Sequence, residues 1–121
     1  MKENEVRRKG LLFARRIVML YQYLCEEKRE YVLSKQLLRS GTSIGANISE
    51  AQYASSRKDF LNKLYIALKE STETLYWLEL LYSCDYLTSS EYQSLYQDCE
   101  ELRKLLSSIT KSLRDGKISN S

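Results

Sequence analysis

Not one proline interrupts the 121 residues, and apolar side chains recur along them in steps of three and four. A proline-free chain of helical period has few choices: it forms long helices and buries one stripe of each against the others. Glycines number only four, too few corner residues for a turn-rich all-β fold. The clearest stripe is Tyr92, Leu95, Cys99, Leu102, Leu106, Ile109 and Leu113, the alternation that bundle or coiled-coil packing requires. Earlier stripes read Ala14, Ile17, Val18, Tyr21, Leu24 and Cys25, then Leu37, Gly41, Ile44, Ile48 and Ala51. A third reads Phe60, Leu64, Ala67, Leu68, Ser71, Leu75, Leu78 and Tyr82.

Start and stop chemistry sets the limits. Ser56 stands three residues before Asp59, and Thr88 three before Glu91, each as an N-cap with an acidic third position. Gly116 follows the last stripe residue, where a left-handed cap costs least. The spacing predicts helices over about 5–28, 34–54, 57–84 and 89–115, with a frayed tail at 117–121. Links this short make consecutive helices antiparallel neighbours. The expected fold is all-α: a single domain over 1–121 forming an up-down-up-down antiparallel four-helix bundle.

Composition excludes several functions. The chain has no histidine, which removes Ser-His and Cys-His nucleophile pairs and the Glu-x-x-His metal sets of di-iron bundles. Glu26, Glu30, Glu79 and Glu100 show no convergent pattern. No catalytic residue, metal or cofactor is therefore expected, and the chain reads as not an enzyme. Cys25, Cys84 and Cys99 are odd in number and far apart; reduced thiols that fill apolar stripes are expected. No apolar run approaches a membrane span and no apolar segment follows the charged N-terminus, so a cytoplasmic chain without membrane contact is expected.

Small residues crowd Ser40-Gly41-Thr42-Ser43-Ile44-Gly45-Ala46-Asn47-Ile48-Ser49-Glu50-Ala51. Two glycines inside a helix cost about 1 kcal/mol each relative to alanine, and close approach of another helix backbone repays this. That helix can belong to the same bundle or to another subunit. A phosphate-binding loop would need a further glycine, a following lysine and a preceding strand, so close packing is favoured. Asn47, one turn from Ser43, reads as a hydrogen bonder that fixes register. Glu50 is expected to pair with Arg57 or with a basic residue of another subunit.

The same segment carries a resemblance. Leu37-Leu38-Arg39-Ser40, then Ser43-Ile44-Gly45-Ala46-Asn47-Ile48-Ser49-Glu50-Ala51, then Lys58-Asp59-Phe60-Leu61-Asn62-Lys63-Leu64-Tyr65-Ile66-Ala67-Leu68 resembles the four-helix bundle family of 23S ribosomal RNA intervening-sequence proteins. The accessory proteins of diversity-generating retroelements are similar to the same family. The resemblance covers about residues 10–114. Ser40, Ser49 and Ala51 depart from its usual basic residue, alanine and glycine. It implies a ring-like homo-oligomer, a homopentamer of bundles. For the accessory branch it implies a basic surface that contacts nucleic acid and a reverse transcriptase.

The bundle topology also places the charge. Net charge is only +3. Residues 1–12, 48–64 and 106–121 share one end, where ten cations face five carboxylates, a local balance of +5. Residues 22–38 and 76–96 form the other end, at −3, and no Lys or Arg occurs from Ser71 to Glu100. Such polarity favours a polyanion at the first end. The candidate nucleic-acid contacts are Arg7, Arg8, Lys9, Arg57, Lys58, Lys63, Lys111 and Arg114, with Arg15, Arg16 and Arg39 extending the patch along a side. Ten tyrosines are expected mainly at rims, ring inward and hydroxyl wet, while Tyr53 beside Arg57 and Lys58 can stack on an unpaired base.

Leu61, Tyr65, Leu68, Trp77, Leu78, Leu81 and Tyr82 make the third helix apolar over a wide arc. No helix is central in a four-helix bundle, so the extra arc argues for oligomerisation, and Leu61, Tyr65 and Trp77 join Gly41, Gly45, Asn47 and Glu50 as packing or subunit-contact candidates. The expected function is that of a non-enzymatic, RNA-binding or RNA/DNA-binding accessory protein. The alternative is a protein-interaction scaffold with no nucleic-acid role.

Overall fold

Four helices follow one another in the computed structural model: α1 (Lys2–Glu26), α2 (Leu33–Ala51), α3 (Arg57–Ser83) and α4 (Ser89–Arg114). The structure describes residues 2–116, with side chains from residue 4 onward, so the tail at 117–121 lies outside the described residues. Each helix packs on two neighbours only: α1 on α2, α2 on α3, α3 on α4, and α4 back on α1. This is the square section of an antiparallel bundle.

Both expected caps are formed. Ser56 Oγ accepts from Asp59 N at 3.0 Å, and Thr88 and Glu91 exchange bonds in a complete capping box. Gly116 has φ +74°. Several boundaries differ from expectation: α1 starts at Lys2 and ends at Glu26, α2 runs from Leu33 to Ala51, α3 ends at Ser83 and α4 at Arg114. In the links after α1 and α3, left-handed residues stand where the sequence offers no glycine. Arg29 takes φ +51° and Asp85 φ +67°. Around Asp85, Tyr86 N donates to Leu81 O and Asp85 N to Tyr82 O, the bond pair of a Schellman ending. Beyond Ala51 the chain makes three-residue turns, Tyr53 N to Glu50 O and Ala54 N to Ala51 O.

The start of α2 carries a cap that the sequence hid. The Glu30 carboxylate accepts from Val32 N, Leu33 N and Ser34 N at 3.1, 3.0 and 2.6 Å. Burial pushes this carboxyl up, but the three amides outweigh it and leave its pKa below the usual glutamate value.

Core stripes on α2 and α4 agree with the sequence. Leu37, Gly41, Ile44, Ile48 and Ala51 are buried, as are Leu95, Cys99, Leu102, Leu106, Ile109 and Leu113. α1 is rotated from expectation. Its buried stripe is Val6, Gly10, Phe13, Ile17, Leu20 and Leu24, while Ala14, Tyr21 and Cys25 are half-buried and Val18 is exposed. Both faces of α1 have helical period and share Ile17 and Leu24, so spacing alone does not choose between them. On α3, Leu81 and Thr74 are buried and Tyr82 is exposed, an inward rotation away from the expected stripe's end. Cys84 is also exposed. Cys99 is the core thiol, and burial pushes its pKa up to about 12.

Candidate polyanion-binding end

One end of the bundle gathers the first turns of α1 and α3 and the last turns of α2 and α4. A small cavity of about 60 Å³ proves the meeting, lined by Val6, Ile48, Phe60, Leu64 and Ile109 among others. Arg57 Nη2 donates to Leu113 O at 2.8 Å, closing the C-terminus of α4 from the start of α3. Arg7, Arg8, Arg57, Lys58, Lys63, Lys111 and Arg114 therefore do share one end.

Ion pairs divide these cations into two groups. Lys63 pairs with Glu50 at 3.2 Å and Arg114 with Asp115 at 3.5 Å. Glu50 thus takes Lys63 as its partner rather than the expected Arg57. Lys9 reaches Glu101 at 3.1 Å, and Arg16 reaches Asp98 at 2.6 Å; both span the α1–α4 seam. Arg39 sits on the α2–α3 flank against Glu70, at 3.2 Å, and Glu73. Trp77 Nε1 also donates to Glu73 at 3.0 Å. The indole N–H first, and then Arg39, hold the Glu73 carboxyl below its usual range, while its bond to Glu73 holds Arg39 up. Arg16 and Arg39 thus carry balanced charge away from the end. Arg7, Arg8, Arg15, Lys58 and Lys111 are exposed and have no carboxylate partner among the described residues.

Two surface features adjoin three of these five, Arg7, Arg8 and Lys58. A groove of about 670 Å³ lies between α1 and α2, with Arg7 and Arg8 on its rim, Leu11 and Ala14 on one wall and Gly45, Ala46 and Ser49 on the other. A second depression, about 480 Å³, is lined by Ser56, Lys58, Asp59, Leu61, Asn62 and Tyr65. Tyr53, in the α2–α3 link, is 80% exposed, the one tyrosine for which the sequence offered a role in base stacking.

Four of the packing candidates, Gly41, Gly45, Asn47 and Glu50, have partners within the chain. A Cβ on Gly41 would lie 2.9 Å from two Ile17 side-chain carbons, and one on Gly45 would lie 3.0 Å from Gly10 O. The small residues of α2 receive α1, and Gly10 is the partner that the sequence reading missed; its only signal was its three-residue step before Phe13. Asn47 Nδ2 donates to Ser43 O at 2.9 Å, a bond inside its own helix. Leu61 and Trp77 are half-buried and Tyr65 is exposed. Among the described residues, no group of three or more His, Cys, Asp or Glu can hold a metal ion, and no helix is long and apolar enough to cross a membrane.

This architecture has relatives. A crystal structure of a protein of unknown function from the S23 ribosomal protein family of Bacteroides thetaiotaomicron VPI-5482 is 59% identical, with a TM-score of 0.90, over 92% of this chain and 99% of that one. No curated protein matches the chain. The family model described as 23S rRNA-intervening sequence protein matches residues 2–108. The chain belongs to the 23S rRNA-intervening sequence protein family.

Proposed function

We propose that this bundle is a non-enzymatic, cytoplasmic accessory protein that binds structured RNA or an RNA/DNA hybrid through the cations left unpaired at and beside one end. One observation carries the reading: Arg7, Arg8, Lys58 and Lys111 at one end, with Arg15 beside it, project into solvent without a carboxylate partner among the described residues, while Lys9, Arg16, Arg39 and Lys63 are matched. Lys28, Arg29 and Lys35, unmatched too, stand at the opposite end among an excess of carboxylates. Unmatched guanidinium and ammonium groups around a groove suit phosphates, whose contacts position a nucleic acid without reading its sequence. Tyr53, exposed in the link shortly before Lys58, offers a ring face to an unpaired base. The family's description, tied to a ribosomal RNA intervening sequence, agrees with an RNA partner. A reverse transcriptase is the protein partner that the retroelement resemblance adds.

Homo-oligomerisation is part of this proposal. Leu11 and Met19 are 65% and 67% exposed on α1, and Tyr76 is 55% exposed on α3. Apolar side chains on two opposite flanks suit a head-to-tail ring, for which the resemblance gives five copies. The scaffold reading, with no nucleic acid, rests on the same exposed side chains.

Two triple variants test the proposal by anisotropy of a labelled RNA hairpin. Arg7→Gln, Arg8→Gln and Lys58→Gln together remove three unmatched charges. Lys9→Gln, Arg16→Gln and Arg39→Gln together remove three matched ones. The first set is expected to weaken binding at least about tenfold and the second far less. Equal losses, or no binding by the unaltered protein, contradict the proposal.

A further inference from the structure

The opposite end holds a different constellation. Tyr82 of α3 and Tyr92 of α4 stack with centroids 4.4 Å apart and planes 5° from parallel, and Tyr96 leans on Tyr92 at 5.4 Å. Tyr82 is 38% exposed. Glu79, almost one turn before Tyr82, is exposed and close enough that its charge acts on the Tyr92 phenol. Asp85 is exposed in the link just beyond. Neither carboxylate has a cation partner among the described residues. The stretch from Ser71 to Glu100 contains no Lys or Arg. Lys28, Arg29 and Lys35 stand on the α1–α2 side of this end and form no ion pair with Glu79 or Asp85, while Arg16 and Arg39 are engaged with Asp98 and Glu73.

Tyr82, exposed on the outside of this stack beside unmatched carboxylates, with Tyr92 and Tyr96 half-buried behind it, complements one kind of side chain. The negative ring face attracts a guanidinium or ammonium group. The carboxylates neutralise that group, and the phenol oxygens accept its hydrogens. An apolar segment would strip water from Glu79 and Asp85 and return nothing, and an anionic one would be repelled. We propose that the Tyr82–Tyr92–Tyr96 ladder, with Glu79 and Asp85, docks an arginine- or lysine-rich segment of a partner protein. The bundle then joins a cationic protein at one end, independently of whether the other end holds a nucleic acid.

Fluorescein-labelled nona-arginine and nona-glutamate peptides, titrated with the full chain at about 0.15 M salt, are the probes. The arginine peptide is expected to bind and the glutamate peptide to fail. Glu79→Gln with Asp85→Asn, both exposed and without structural partners, is expected to weaken arginine binding at least about tenfold. Tyr82→Leu is expected to weaken it about threefold or more through loss of the ring face. Glu26→Gln with Glu27→Gln removes equal charge on the α1 side of the same end and is expected to change binding less than about twofold. Unchanged binding in the Glu79/Asp85 variant, or equal loss in the Glu26/Glu27 variant, overturns the proposal. So does a fall in sedimenting mass caused by the Glu79/Asp85 substitutions alone, which would make a second copy of this chain the occupant.

Discussion

Gly45 lies so close to Gly10 that a β-carbon added to it would stand 3.0 Å from the Gly10 carbonyl oxygen. The atoms in the way are backbone, so the α1 main chain at Gly10 must give by a few tenths of an ångström to make room. Gly45→Ala is therefore expected to destabilise the bundle by about 1–3 kcal/mol, despite the gain of about 1 kcal/mol that alanine brings to a helix interior. Urea unfolding followed by circular dichroism measures this; a more stable variant would show that the two helices are not held at this distance.

Glu30 makes the stability of α2 sensitive to acid. Its folded pKa is lowered, so its contribution is present above the unfolded glutamate value and is lost as pH falls through the folded one. Glu30→Gln is expected to cost about 1–2 kcal/mol near neutrality. The gap between the two proteins is expected to close in that acid window, as thermal melts at a series of pH values would show. A gap that widens toward acid would contradict the cap.

Arg29 occupies the left-handed region at φ +51° with a side chain. Arg29→Gly is expected to raise stability by up to about 1 kcal/mol, because glycine adopts this conformation without the Cβ clash. An unchanged or lower melting temperature would argue against this turn.

The thiols are expected to separate by reactivity. Cys99 is buried, with a pKa of about 12, and Cys84 is exposed. Iodoacetamide near pH 8, read by mass spectrometry, is expected to label Cys84 in the folded protein and to reach Cys99 only after denaturation.

The fold was legible where one physical rule acted alone. On α4 the apolar stripe is the only one the helix has, and Leu95 through Leu113 are buried as the spacing requires. On α1 two apolar stripes compete, and choosing the inward one needs knowledge of where Gly45 sits, which is tertiary information. Helix ends were readable at Thr88, where a hydroxyl and a carboxylate stand at fixed spacing. They were not readable at Arg29, Asp85 or Glu30, whose roles depend on backbone angles that their side chains do not advertise. At the candidate site, the sequence placed the cations at one end, but it did not show which of them had partners. Lys9 meets Glu101 across 92 residues of chain, and Arg39 meets Glu70 across 31, so long-range packing decides which charges remain available.

The most direct test is the salt dependence of binding between the unaltered protein and a structured RNA. Expected is a straight line of log K against log salt with a steep negative slope from about 50 to 200 mM, as Arg7, Arg8, Arg15, Lys58 and Lys111 displace counterions from the phosphates into solution. A slope near zero, or no binding at the lower salt, would contradict a polyanion site at this end.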